Sequence, residues 1–233
     1  MNVAVILAGG KGRRMKLDRD SKQLLLLNGK PVFLHSLDAF YDSGLFDRFI
    51  VVYNPDFKEK YEQYLMDYNN VIMVEAGSER WRSSQNALEE IERIFPETRI
   101  VAIHDGARPF IKKELIKSMI KEVNEDIGVI PGIYLKDTIK RLGDDNIVIE
   151  TPIRNEYARV MTPQMFDFKG LLKAYRNFEH NGSAIPTDDA MMFEAFGKKV
   201  KVIIGDESNI KITTPEDVII AVRLIKLKIN NEK

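Results

Sequence analysis

The residues best suited to chemistry begin with a loop of three glycines and two arginines, Ala8-Gly9-Gly10-Lys11-Gly12-Arg13-Arg14-Met15. Glycine lets a backbone turn tightly and approach a ligand that a Cβ would hold off. Guanidinium groups recognise phosphate through paired hydrogen bonds. The loop follows Val3-Ala4-Val5-Ile6-Leu7, an apolar run whose β-branched residues mark a buried strand of a parallel sheet. Strand, glycine turn and cationic end together suit a nucleoside triphosphate. Two common phosphate loops are excluded by spacing. A Walker A loop needs Ser or Thr after its lysine, where Gly12 stands, and the dinucleotide fingerprint needs a glycine in place of Met15.

Further clusters fit the same ligand. Lys22, in Asp20-Ser21-Lys22-Gln23, follows the loop closely and suits a second phosphate ligand. Gly77-Ser78-Glu79-Arg80-Trp81-Arg82-Ser83 leaves one strand and enters a helix, so it faces the crevice at the carboxyl ends of the strands. There Gly77 would permit close approach of a base, and Ser83 would hydrogen-bond a base or ribose, cap the helix, or do both. In His104-Asp105-Gly106-Ala107-Arg108-Pro109-Phe110, Asp105 just past a strand is placed to hold Mg²⁺ beside a triphosphate, and Arg108 adds positive charge. His104 beside Asp105 is not read as a catalytic dyad, because no hydrolase-type serine motif is present. A structural hydrogen bond is expected of it. Thr187-Asp188-Asp189-Ala190 reads as a helix start, and Lys211 lies on a short strand before the last helix.

The elements that must position these residues alternate. Strands are expected at 49–53, 71–74, 100–103, 127–130 and 200–204, with helices at 34–41, 56–68, 83–95 and 114–124 and a last one started by Pro215. The pattern implies an α/β fold, a Rossmann-like, mostly parallel sheet with helices on both faces, in one domain spanning 1–233. One stretch breaks the alternation. Thr138 to Leu142 and Ile147 to Thr151 read as two strands around the turn Gly143-Asp144-Asp145-Asn146, a protruding β-arm at about 137–158. A lone hairpin is marginal in water, so the arm is expected to pair subunits.

Composition narrows the class. Of 233 residues, 44% are hydrophobic and 30% charged, as in ordinary globular proteins. Lys plus Arg and Asp plus Glu both number 35, which argues against a general nucleic-acid or membrane-surface binder. The chain has no cysteine, so disulfides, thiolate nucleophiles and Cys-based metal sites are excluded. No stretch reaches transmembrane length, and a cytoplasmic enzyme is expected.

The loop A-G-G-x-G-x-R-M resembles the signature of nucleotidyltransferases. The glycine loop, Lys22-Gln23, His104 to Phe110, Lys136 to Arg141, Thr162-Pro163-Gln164, Thr187 to Ala190 and Asn209 to Pro215 together resemble the 2-C-methyl-D-erythritol 4-phosphate cytidylyltransferase family from Val3 to about Arg223. That resemblance implies transfer of CMP from CTP to a polyol phosphate in non-mevalonate isoprenoid biosynthesis. It implies that Arg14, Lys22 and Lys211 bind the triphosphate and the transition state and that Asp105 lies at the Mg²⁺. It also implies that Ala8, Gly9, Gly10, Gly12, Gly77, Ser83, Asp105 and Arg108 form the nucleotide pocket. Thr138, Arg154, Thr162 and Thr187 would hold the acceptor, and the arm would make a homodimer. No fused second enzyme is expected. The chain departs from the family at Ala8-Gly9-Gly10, Ala76-Gly77 and Ser83-Ser84. Its Gly-Gly loop and Arg154-Asn155-Glu156 are similar to ribitol-5-phosphate cytidylyltransferases, which leaves that acceptor as the alternative. A molybdopterin guanylyltransferase would share the loop but lack the arm and the Asn209 to Pro215 segment.

Overall fold

The computed structural model describes residues 1–10, 21–178 and 185–231. Gly12 and Arg14 therefore lie outside the described residues. The first strand, β1 (Asn2–Leu7), divides its side chains between two cores, as the period of two in a strand requires. Ala4 and Ile6 enter one core, and Val3, Val5 and Leu7 the other. There follow a short hairpin of β2 (Leu26–Leu27) and β3 (Lys30–Pro31), then α1 (Val32–Tyr41), β4 (Arg48–Tyr53), α2 (Lys58–Leu65), β5 (Val71–Glu75), α3 (Arg80–Ile94), β6 (Ile100–Asp105) and α4 (Lys113–Ile120). Next come β7 (Ile127–Tyr134), the arm strands β8 (Arg141–Leu142) and β9 (Val148–Glu150), then β10 (Ala158–Val160) and β11 (Gln164–Asp167). The chain continues through α5 (Phe168–Asn177), α6 (Asp189–Ala195) and β12 (Lys199–Ile204) to α7 (Pro215–Asn231).

Eight strands form one sheet in the order β10, β7, β11, β6, β1, β4, β5, with β12 also paired to β7. β6, β1, β4 and β5 run parallel, with Val3 registered between Arg48 and Val101. β11 runs antiparallel between β6 and β7, and β10 antiparallel to the end of β7. Residues of α1, α2 and α4 cover the face bearing Ala4 and Ile6, and those of α3, α5 and α6 cover the other. α7 packs on β2 through Ala221, Ile225 and Leu27, with Ile212 in the same cluster.

The expected α/β architecture is present, with differences in detail. α3 starts at Arg80, before Ser83, and its N-cap is Glu79, so Ser83 is not the cap. Asp105 is the last residue of its strand rather than beyond it. β7 continues to Tyr134 through Pro131, and α4 stops at Ile120. The segment expected as one helix at 56–68 is a 3₁₀ turn followed by eight α-helical residues. The arm hairpin is present, but its strands are only two and three residues long. Asp145 and Asn146 adopt φ of 54° and 60°, as its tight turn demands.

Where β7 meets β11, a Cβ on Gly128 would lie 2.4 Å from the buried Phe166 ring. Gly128→Ala is therefore expected to cost about 1–3 kcal/mol of overpacking strain. Urea denaturation should show a lower midpoint with an unchanged slope.

Candidate active site

Parallel strands deliver their following loops to one end of a sheet, and a cleft of about 450 Å³ lies there, at the ends of β1, β5 and β6. The chain leaves β1 with the Ala8 N–H donating to the Val52 carbonyl at 2.8 Å and the Ala8 carbonyl accepting from Tyr61 Oη at 2.7 Å. Ala8 is thus buried behind the cleft, and Gly9 and Gly10 line it. A Cβ on Gly9 would sit 2.2 Å from that of Ala76, so the adjacent β5 loop itself requires glycine here. Gly77 is similarly constrained, since its Cβ would lie 2.4 Å from Arg82 Cβ. The Gly77 N–H donates to Ser83 Oγ at 3.0 Å, and Ser83 Oγ donates to the Glu79 carbonyl at 3.1 Å. Those bonds fix the loop that opens α3 against the cleft. Trp81 packs beside the core, with the Arg82 guanidinium 3.9 Å from its ring centroid.

The cleft floor is electrostatic. The Asp105 carboxylate, only 7% exposed as a residue, lies 2.8 Å from Lys211 Nζ, 3.3 Å from Arg80 Nε and 3.4 Å from Arg108 Nε. Burial alone would raise its pKa, but Arg80, Lys211 and Arg108 hold it well below the ordinary carboxylate range. Arg80 also pairs with the fully buried Asp189 at 2.7 Å, and Tyr175 Oη donates to Asp189 at 2.6 Å. Burial lowers the Arg80 pKa, while Asp189 and Asp105 more than restore it, so its charge is secure.

A polar lattice holds this floor in place. His104 is fully buried, with Nε2 3.0 Å from the Arg108 carbonyl and Nδ1 3.1 Å from Thr162 Oγ1. Burial pushes its imidazole down to about 4, which suits the structural role expected of it. Thr162 Oγ1 also accepts from the Asp105 N–H at 3.0 Å. Asn209 Nδ2 donates to the Thr162 carbonyl at 2.9 Å, and the Asn209 carbonyl accepts from Arg108 Nη1 at 2.8 Å. Gln164 Oε1 accepts from the Asp189 and Ala190 N–H groups, and its Nε2 donates to the helix-capping Asp188. The sequence motifs around Thr162, Thr187 and Asn209 are thus joined to one another by hydrogen bonds.

Among the anticipated residues, Gly9, Gly10, Lys22, Gly77, Ser83, Asp105 and Lys211 line the cleft together. Arg108 and Thr162 stand behind it as supports of Asp105. Thr187 is exposed just before α6. Thr138 and Arg154 are exposed on the arm, and Arg154 Nη1 donates to the Lys136 carbonyl of that same arm. Sequence reasoning missed Arg80, Asn54 and Asp56, which also line the cleft. Arg80 had a signal, a guanidinium three residues after Gly77 in a loop already read as facing the crevice. Asn54 and Asp56 had none beyond their place after a strand.

Similarity to known proteins agrees with this geometry. Residues 2–226 match the family model described as 2-C-methyl-D-erythritol 4-phosphate cytidylyltransferase. The chain is 40% identical over 227 residues to the Lachnoclostridium phytofermentans protein of that name, covering 96% of this chain and 95% of that one. It is 39% identical over 230 residues to the Clostridium acetobutylicum protein of the same name, covering 97% and 98%. The fold is similar to the crystal structure of 4-diphosphocytidyl-2C-methyl-D-erythritol synthase from Anaerococcus prevotii, with a TM-score of 0.82, 32% identity and coverage of 97% and 96%.

The hydroxyl of Thr162 has a strut's role that can be measured directly. Thr162→Val leaves the Asp105 N–H buried without its acceptor, at an expected cost of about 1–3 kcal/mol. Thermal or urea unfolding of the variant checks it, and Thr162→Ser should recover most of the loss.

Proposed function

The chain belongs to the 2-C-methyl-D-erythritol 4-phosphate cytidylyltransferase family, and we propose that its cleft carries out the reaction by charge neutralisation and alignment alone. The enzyme transfers CMP from CTP to 2-C-methyl-D-erythritol 4-phosphate, giving 4-diphosphocytidyl-2-C-methyl-D-erythritol and pyrophosphate in isoprenoid biosynthesis. The family match also sets aside the ribitol phosphate and molybdopterin readings.

An oxygen of the acceptor phosphate attacks the α-phosphorus, and the bond from that phosphorus to the pyrophosphate oxygen breaks. The nucleophile is already anionic at neutral pH, so no general base is required. The barrier is repulsion between anions together with charge gathering at phosphorus, which positioned cations relieve. The observation that carries this mechanism is the convergence of Lys22 and Lys211 on a cleft floored by an ionised carboxylate. Arg14, from the glycine loop, joins them in this reading. Gly77 and Ser83 mark the nucleoside end, and the glycine loop the triphosphate tail.

Asp105 also fits Mg²⁺. It is a hard oxygen donor kept ionised at the end of a central strand, and no group of three His, Asp or Glu side chains among the described residues would form an all-protein cage. Mg²⁺ is commonly held by one or two carboxylates plus substrate phosphates. When bound, the ion would offset negative charge on the triphosphate.

The arm makes the protein a homodimer in this proposal. Leu142, Ile147, Val148, Ile149, Ile153 and Tyr157 are exposed on it or at its base, an apolar concentration that solvent does not favour. Thr138 and Arg154 would then meet the acceptor in the neighbouring subunit's cleft. No helix among the described residues is long and apolar enough to cross a membrane, and the use of CTP supports our reading of a cytoplasmic enzyme.

Pyrophosphate release with CTP, Mg²⁺ and methylerythritol phosphate tests the reading, with ribitol 5-phosphate as the competing acceptor. Turnover should require methylerythritol phosphate. Lys211→Ala should lower the rate at least about a hundredfold in a protein that still folds, with a lowered stability because Asp105 loses one of its three cationic partners. Turnover near wild type in that variant would contradict the charge assignment.

Sharing of the site is tested by mixing Arg14→Ala with Arg154→Ala under conditions of subunit exchange. A mixed dimer should contain one doubly defective site and one intact site. Random mixing should restore about a quarter of all sites. Absence of recovery, with exchange confirmed independently, would place Arg154 in its own subunit's site.

A further inference from the structure

Arg80 lines the cleft, and the mechanism above uses it only as one of the cations that keep Asp105 ionised. Its guanidinium is used on one edge only. Nε faces Asp105 at 3.3 Å and Nη2 faces Asp189 at 2.7 Å, whereas Nη1 has no partner among the described residues. Although Arg80 pairs with both Asp105 and Asp189, it keeps 27% of its side chain exposed at the cleft. Its backbone opens α3 between Gly77 and Ser83, at the nucleoside end, while its guanidinium reaches the Asp105 floor. That span is where the phosphoryl group next to the nucleoside must lie.

We propose that Arg80 is a further substrate-contacting residue, with Nη1 donating to an anionic oxygen of the α-phosphoryl group of CTP, and that Asp189 is its positioning residue. Asp189 is suited to that task because it cannot itself move. Its carboxylate accepts from Tyr175 Oη, its N–H is held by Gln164, and it is fully buried at the start of α6. The ion pair of Nη2 with this buried carboxylate restrains that side of the guanidinium and leaves the remaining amino group available to the ligand. Planar guanidinium is suited to such division of its donors, and lysine is not. The proposal deepens the CTP reading of the cleft and rests on it.

The test uses the full-length enzyme, with wild-type pyrophosphate release from CTP and methylerythritol phosphate as the control on that underlying reading. Inactive wild type would fail the reading itself, whereas active wild type with active Arg80 variants would fail only this inference. Arg80→Lys keeps a cation beside both carboxylates, so folding should survive. The double variant Arg80→Gln with Asp189→Asn removes the pair without leaving Asp189 as an uncompensated buried anion. Both should keep their circular dichroism, lose about a hundredfold in kcat/KM for CTP and leave KM for the acceptor unchanged. Calorimetry of CTP binding without acceptor should weaken in parallel. Asp189→Asn alone should also lose activity, and the double variant should lose no more than Arg80→Gln, because both act through one group. If Arg80→Gln fails to fold, Arg80→Lys takes its place in that comparison. Recovery of wild-type kcat/KM by the double variant would reduce Arg80 to a counterion of Asp189 and overturn the proposal. Near-wild-type activity of Arg80→Lys would also overturn it, and additive losses would overturn the positioning role of Asp189.

Discussion

A carboxylate buried at the end of a central strand must be neutralised or give up its charge. Asp105 is neutralised by Arg80, Arg108 and Lys211, which come from three separate parts of the chain. Removing one partner of a buried ion pair typically costs about 3–5 kcal/mol, because the remaining charge is left uncompensated. Asp105 therefore binds the start of α3, the loop after β6 and the segment before α7 into one assembly. The arrangement leaves the cationic side chains of Arg80 and Lys211 lining the cleft.

The support behind that carboxylate comes from the part of the sheet that departs from parallel order. β11 lies antiparallel against β6, which brings Thr162 and Gln164 alongside the His104–Asp105 segment. From there Thr162 fixes the Asp105 backbone, and Gln164 fixes the start of α6 and hence Asp189. A parallel neighbour of β6 would have had to be entered through a crossover helix on the face of the sheet. The antiparallel insertion brings the Thr162–Gln164 start of this short strand next to the cleft, where it hydrogen-bonds to Asp105, Asn209 and the start of α6.

The arm follows different physics. Its two short strands bury almost nothing, and its cross-strand contacts are polar, such as Arg141 Nε to Glu150 Oε2 at 2.9 Å. Such a ladder is too small for independent stability. Apolar side chains are nevertheless displayed along it, so its conformation gains most when another surface covers them.

The buried apolar run of β1, the glycines at 9 and 10 after it, Pro215 at the start of α7 and the turn at 143–146 were all legible in the sequence, because each depends on neighbouring residues. The clustering of Gly77 and Asp105 was legible too, since loops after parallel strands share one end of a sheet, whereas Lys211, expected on a short strand, lies in a segment without one and is held at the site by Asp105. What only the tertiary structure decided concerns partners far apart in the chain. β10, β11 and α5 carry no strong local pattern, and their places are fixed by pairing with β6 and β7 and by burial of Phe166, Phe168 and Leu171. The glycines at 9 and 77 were read as room for a ligand, whereas Ala76 and Arg82 already occupy the directions their Cβ atoms would take. Arg80 and Asp189 had no visible link before folding, because an ion pair is specified by distance in space and not by separation in sequence.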